Sequence, residues 1–179
     1  SQIVVQVTKG PIGSKGPRVT AAISIPGRYL VMMPGTTLKG VSRKIDSESE
    51  RNRLRKILDR LNLPQEMGLI VRTAASGASK RSFVRDLRGL VFVWEELQRG
   101  INEDPAPCCV YAEPDLVERV VRDWMTEEVD RIVVDSKEKY DRIRQMAAKI
   151  SRKVRSRVQL YEGALPVFEH YEVARQLDE

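Results

Sequence analysis

Two cysteines and one histidine are all that these 179 residues contain, and the scarcity removes whole classes of chemistry. Cys108 and Cys109 are adjacent. In an extended segment neighbouring side chains point to opposite faces, so a bond between the two is disfavoured. They are expected to be buried thiols in a reducing compartment, which suggests the cytoplasm. Two adjacent cysteines and a lone His170 do not make a four-ligand zinc set. No apolar run approaches a membrane span, and no signal peptide is recognised at the start, which is Ser1 rather than Met. Internal repeats, low-complexity segments, a dinucleotide fingerprint and paired catalytic carboxylates are likewise missing. The loop Lys9–Arg18 is basic and rich in turn residues. It is no P-loop, because Lys15 lacks the glycine spacing and the following Ser or Thr.

What is present describes a folded chain. A hydrophobic fraction of 41% with 31% charged residues fits a globular protein of one domain or two small ones. The net charge of +6 is unevenly spread. Residues 1–60 hold twelve Lys and Arg against four Asp and Glu, whereas residues 61–179 hold 19 against 21. An electropositive first third attracts phosphate polymers through counterion release. A solvated basic face without a partner accounts for the same numbers.

Ile3–Thr8 and Val19–Ile25 read as two strands of a hairpin, too little to stand alone. Tyr29–Met33 is a strand stopped by Pro34-Gly35, and Val41–Ile45 alternates weakly as another. Ser47-Glu48-Ser49-Glu50 has the form of a capping box ahead of a helix with Leu54, Ile57, Leu58 and Leu61 inward. Its outer face carries Arg51, Arg53, Arg55, Lys56 and Arg60, a solvated face or an RNA contact. Ser79 caps a long helix lined by Phe83, Leu87, Leu90, Val91, Trp94, Leu97 and Ile101. Pro105 and Pro107 mark a boundary. Beyond it, strands at Cys108–Tyr111, Arg131–Asp135 and Val158–Tyr161 alternate with helices. The first of these helices is expected over Pro114–Thr126, with Val117, Val120, Val121 and Trp124 inward. The second is capped by Ser136 and carries Tyr140, Ile143, Met146, Ala147 and Ile150, and the last runs through Phe168, Tyr171 and Val173. The fold class is therefore α/β, an α+β part followed by a small α/β unit with a partly parallel sheet.

The stretch with the clearest chemistry is Gly68–Ser79, a short apolar strand running into Arg72-Thr73, small residues and a helix start. The planar fork of Arg72 suits phosphate oxygens, Thr73 adds a hydroxyl donor, and the small residues let backbone N–H groups approach an anion. An ordinary strand–loop–helix link with a surface arginine explains the same residues. Asp135 ends a strand, but one carboxylate holds no catalytic metal, and Asp135-Ser136 is a good helix entry. His170 has no nucleophile partner, and Ser76 and Ser79 have no nearby base. The residues themselves describe a binding protein with an anion site and no complete catalytic constellation.

Longer motifs then stand out. Lys15-Gly16, Ile23 to Pro34 and Gly40 to Ile45 come first, followed by Pro64 to Ala74, Pro105-Ala106-Pro107, Leu160-Tyr161-Glu162-Gly163 and Pro166-Val167-Phe168. In this order, over essentially the whole chain, they resemble the ribonuclease E / ribonuclease G family of bacterial endoribonucleases. The resemblance implies three regions. Residues 1–22 would be the last hairpin of an OB-fold RNA-binding barrel, 23–117 a sensor of the RNA 5′-monophosphate, and 118–179 part of a ribonuclease H-like subdomain. It implies that Gly27, Val31, Arg72 and Thr73 line the 5′-phosphate pocket and that Lys15 touches RNA.

By the same resemblance the partner is single-stranded RNA with a 5′-monophosphate, and the parent is a homo-oligomeric, Mg-dependent hydrolase of RNA processing and decay. Its Mg²⁺-holding aspartates, its zinc-binding cysteines and a second pocket arginine would lie beyond residue 179, and most of the barrel before residue 1. The chain itself is then expected to need no cofactor and to cleave nothing alone. The other expectations are a free-standing RNA-binding or scaffolding module and, with less to carry it, a small α/β enzyme acting on phosphorylated metabolites.

Overall fold

A computed structural model describes residues 2–113, 115–125, 129–150 and 152–178. The chain divides into two compact units, Ser1–Ala112 and Glu113–Glu179. The architecture is mixed α/β with an antiparallel hairpin at the N-terminal end.

The hairpin pairs β1 (Gln6–Lys9) with β2 (Arg18–Thr20), Val7 opposite Val19. Both valines are exposed. The second strand stops at Thr20, not at Ile25 as the apolar run suggests. Gln6 clamps the departing chain, donating from Nε2 to Ser24 O and accepting from Ser24 N, each at 2.9 Å. Ile25 then opens a different sheet.

That sheet holds β3 (Ile25–Pro26), β4 (Leu30–Pro34), β5 (Lys39–Val41) and β6 (Met67–Val71), in the order β3-β4-β6-β5. Only the β5–β6 pair is parallel. The expected strand at Val41–Ile45 is shifted back, because Ser42 to Ile45 closes a turn through Ile45 N and Ser42 O. Period-two alternation puts Leu30 and Met32 of β4 on one face, directly opposite Val71 and Leu69 of β6. All four are fully buried. Each such side chain contributes roughly 1.5–3 kcal/mol.

Two helices cover this unit's core. In α1 (Glu48–Asp59) Leu54 and Leu58 are buried, and Ser47 caps through Glu50 N. α2 (Lys80–Glu103) is capped by Ser79 and buries Phe83, Leu87, Leu90 and Leu97. Residues 104–112 contain no strand, and Cys108 and Cys109 are exposed. The expected buried strand fails because Pro105 and Pro107 remove ladder donors just before it.

In the second unit β7 (Ile132–Val134) and β8 (Val158–Leu160) pair in parallel. α3 (Leu116–Trp124) and α4 (Lys137–Ile150) are joined through Asp115, which caps α3 and accepts from Arg142 Nη1 at 2.9 Å. Ser136 Oγ accepts from Lys139 N at the start of α4. Three short helices complete the unit: α5 (Arg152–Arg155), α6 (Val167–His170) and α7 (Val173–Asp178). The single last helix expected from the sequence is broken at Glu172, whose φ is 57°. Val117 and Val121 pack inward as expected, but Trp124 is 73% exposed and Val120 47%. Pro114 as first helical residue and Thr126 as last, like the start at Ser1, lie outside the described residues.

Candidate functional site

The β3–β4 turn and the end of β6 meet at one carboxylate. Asp86, on the second turn of α2, accepts N–H bonds from three consecutive residues of the turn: Arg28 at 3.0 Å, Tyr29 at 2.8 Å and Leu30 at 2.9 Å. Burial pushes the Asp86 carboxyl above its ordinary range, opposed by those three N–H donors and by the positive charge of Arg72. Gly27 leaves room for this approach, for a Cβ there would meet Asp86 Oδ2 at 2.6 Å.

Arg72 follows β6 directly. Its backbone N–H donates to Tyr29 O at 2.8 Å, continuing the β4–β6 ladder by one step. Its Nη1–H donates to Gly27 O. The Gly27 N–H is taken by Leu30 O at 2.8 Å, so Gly27 meets the guanidinium through its carbonyl. Tyr29 is fixed further by its ring, stacked on Phe83 at 6.2 Å and with the Arg28 guanidinium 5.3 Å from its centre. Arg72 itself is half-buried and Thr73 exposed. Val31 is half-buried, paired with Ile70 on the sheet face opposite Leu30 and Met32.

After Thr73 the chain forms a short 3₁₀ turn, Thr73–Ala75, and a bend at Gly77 with φ 72°, before α2 begins. This segment is held from α1. Glu50 accepts from Gly77 N at 2.8 Å and from Arg53 at 2.6 and 2.7 Å, while Arg53 Nη1 donates to Ala78 O at 3.0 Å. The hydrogen bond from Arg53, then that from Gly77, hold the Glu50 carboxyl down at about 2. Glu50 thus spends its carboxylate on a loop 27 residues away instead of completing the capping box.

Of the sequence-derived candidates, Gly27, Val31, Arg72 and Thr73 lie on neighbouring backbone. Lys15 does not join them. It is exposed at the tip of the β1–β2 hairpin, in a tight turn closed by paired bonds with Ile12. Asp135 is exposed and lies on an apolar hollow of the second unit. His170 sits edge-on to Tyr171 at 4.7 Å and beside Tyr161 at 5.2 Å. Among the described residues no three His, Cys, Asp or Glu side chains come together, so they offer neither Mg²⁺ nor Zn²⁺ a ligand set. Asp86 was missed in the sequence, and Glu50 and Arg53, expected as a capping-box member and an outward arginine, instead hold the loop after Thr73. The one trace of Asp86 is a lone acid between Phe83 and Leu90 on an otherwise apolar stripe.

The model of the ribonuclease E/G family matches residues 24–179, nearly all of both units. The chain belongs to the ribonuclease E/G family. Ribonuclease G of Salmonella typhimurium is 37% identical over 175 residues, 98% of this chain and 36% of that protein. Ribonuclease E of Haemophilus influenzae is 34% identical over 178 residues, 99% of this chain and 19% of that protein. Ribonuclease E of Nostoc sp. reaches 44% over 144 residues, 80% of this chain and 21% of that protein. This family member therefore spans between about a fifth and about a third of the length of those curated relatives. The family is one of ribonucleases. No helix among the described residues is long and apolar enough to cross a membrane.

Proposed function

We propose that this chain is the 5′-end-reading part of a longer, single-strand-specific endoribonuclease of RNA processing and decay. The observation that carries the reading is the setting of Arg72. Its guanidinium is tied to Gly27 O at the rim of a turn that Asp86 holds by three backbone bonds, with the Thr73 hydroxyl exposed beside it. A half-buried guanidinium with one Nη tied to the backbone suits a terminal phosphate, which offers several acceptor oxygens and one to two negative charges. Val31 supplies an apolar wall. A 5′-hydroxyl end offers no charge to this group, and a triphosphate is too large for a grip on one phosphate.

In this reading residues 1–22 are the end of an OB-fold barrel whose Lys15 follows the RNA strand, 23–117 form the sensor, and 118–179 belong to a ribonuclease H-like subdomain. The aspartates that hold Mg²⁺ and the cysteines that hold structural Zn²⁺ belong to the remainder of a cytoplasmic, homo-oligomeric enzyme. Mg²⁺ would supply hydrolysis there; this chain binds RNA and does not cleave it. The test compares single-stranded A/U-rich oligonucleotides differing only in a 5′-phosphate or a 5′-hydroxyl. Charge-assisted contacts contribute roughly 1.5–3 kcal/mol each, so the phosphorylated end should bind about 10- to 100-fold tighter. Equal affinities, in the chain and in the complete enzyme, would remove the sensor assignment. Cleavage of RNA by the purified chain with Mg²⁺, abolished by a point change within it, would remove the division of labour.

A further inference from the structure

The first three turns of α2 carry a second basic feature, separate from Arg72. Lys80, Arg81, Arg85 and Arg88 are exposed and, with Val84, line an open hollow of about 620 Å³ with no carboxylate in its lining among the described residues. Positions 81, 85 and 88 follow the spacing that brings side chains onto one helix face, with 80 and 84 beside them. Asp86, the one acid nearby in sequence, is turned to the other side of the helix and spends its oxygens on the β3–β4 turn.

This arrangement works against the helix that bears it. Cations at a helix N-terminus oppose the macrodipole, and like charges at i,i+4 spacing repel. α2 has no acidic residue in its first turn to offset them. α1 differs: Arg51, Arg53 and Arg55 all pair with Glu48 or Glu50. Among the described residues the side chains of Lys80, Arg81 and Arg88 enter no ion pair or hydrogen bond. Three side chains without internal compensation, Lys80, Arg81 and Arg88, around a concave surface are what an external polyanion would repay.

We infer that this face of α2 binds the phosphodiester backbone of RNA, independently of the chemistry of the 5′ end. Lys80 to Arg88 spans about 12 Å along the axis, enough to meet several successive phosphates of one strand. Contacts of this kind read charge and not sequence. The inference rests on the RNA reading above for its polymer, but not on recognition of the end. It adds a second grip on the side of α2 away from Asp86.

The experiment measures binding of the two oligonucleotides, 5′-phosphate and 5′-hydroxyl, by fluorescence anisotropy over a range of salt. The variant is Lys80→Gln/Arg81→Gln/Arg88→Gln in the 179-residue chain. Glutamine is a good helix former, and unchanged circular dichroism and melting temperature establish the fold. The expected result is the same loss of affinity, tenfold or more at low salt, for both oligonucleotides, with the ratio between them kept. The slope of log K against log salt should fall by about 2, near 0.7 for each phosphate contact removed. A companion exchange, Lys80→Arg/Arg81→Lys/Arg88→Lys, should keep affinity and slope, because the charge is retained. Unchanged affinity and slope in the glutamine variant would overturn the inference. So would a loss confined to the 5′-phosphate oligonucleotide, or a loss of binding to anionic phospholipid vesicles with RNA binding intact. If the wild-type chain shows no preference between the two ends but the glutamine variant still loses affinity, the end-sensing proposal fails and this one stands.

Discussion

Asp86 and Gly27 are matched as plug and socket: a Cβ on Gly27 would lie 2.6 Å from Asp86 Oδ2 and 2.8 Å from Oδ1. Side chains do not tolerate that approach, and here the obstacle is a carboxylate held by three N–H groups. Gly27→Ala should therefore force Asp86 off at least one of its bonds and tilt the carbonyl that holds Arg72. The expected cost is about 1–3 kcal/mol, that of a buried polar group left unmatched. It would be seen in urea unfolding, together with a smaller preference for 5′-phosphorylated RNA. A variant as stable and as selective as the parent would remove Gly27 from the argument.

Asp86→Asn keeps size and shape but replaces one acceptor oxygen with an NH₂ group, which would face a backbone N–H. It also removes the negative charge beside Arg72. Stability should fall by about 1–3 kcal/mol, since a donor now opposes a donor. Burial raises the Asp86 carboxyl in the folded state. This group's share of stability is then complete below its ordinary unfolded value and declines as pH rises through the raised one. The asparagine variant should lack that decline. Equilibrium unfolding of both proteins, from below the ordinary carboxylate range up to neutral pH, would show it.

Features with a local cause could be read from the sequence, and features made by distant partners could not. Ser47 and Ser79 cap because their own third neighbours supply the N–H, and the α2 stripe from Phe83 to Leu97 follows helical periodicity. Arg72-Thr73 at a strand end was legible for the same reason. Asp86 was not, because the backbone it binds lies 56 to 58 positions earlier. Glu50 had the form of a capping-box member, yet its carboxylate is claimed by Gly77 across the fold. The run from Val19 to Ile25 gives no sign that two sheets share it, since both halves are equally apolar. Trp124 was expected inward on periodicity alone, but the surface that periodicity requires for it is absent from the described residues.

Arg72 separates charge from geometry. Arg72→Ala should abolish most of the preference for a 5′-phosphate, about 10- to 100-fold, and leave affinity for 5′-hydroxyl RNA nearly unchanged. Arg72→Lys keeps the charge but not the fork, and a point charge cannot hold Gly27 O and a phosphate in one plane. Its recovery should be partial, at less than half of the lost free energy. Titration of both variants with the paired oligonucleotides measures this. Full recovery by lysine would mean that the site senses charge alone.

Glu50 links the loop after Thr73 to α1, and its acidity makes the link titratable. Its carboxyl is held at about 2, against an ordinary value of 4.5, by Arg53 and the Gly77 N–H. A depressed carboxyl stabilises the fold above its unfolded value, and the contribution is lost as pH falls through the folded one. The clamp should thus be intact above about pH 4.5 and weaken steadily towards pH 2. Glu50→Gln removes the charge at every pH, so its unfolding free energy should be lower than the parent's at neutral pH and converge with it near pH 2. Amide exchange at Gly77 and Ala78 supplies the local readout, because their environment depends on Glu50 and Arg53. Exchange there should quicken in the variant at neutral pH, while the core amides of β4 and β6 keep their protection. Equal acid sensitivity in the two proteins would mean that the loop is held without Glu50, by its 3₁₀ turn and the Arg53 bond to Ala78 O.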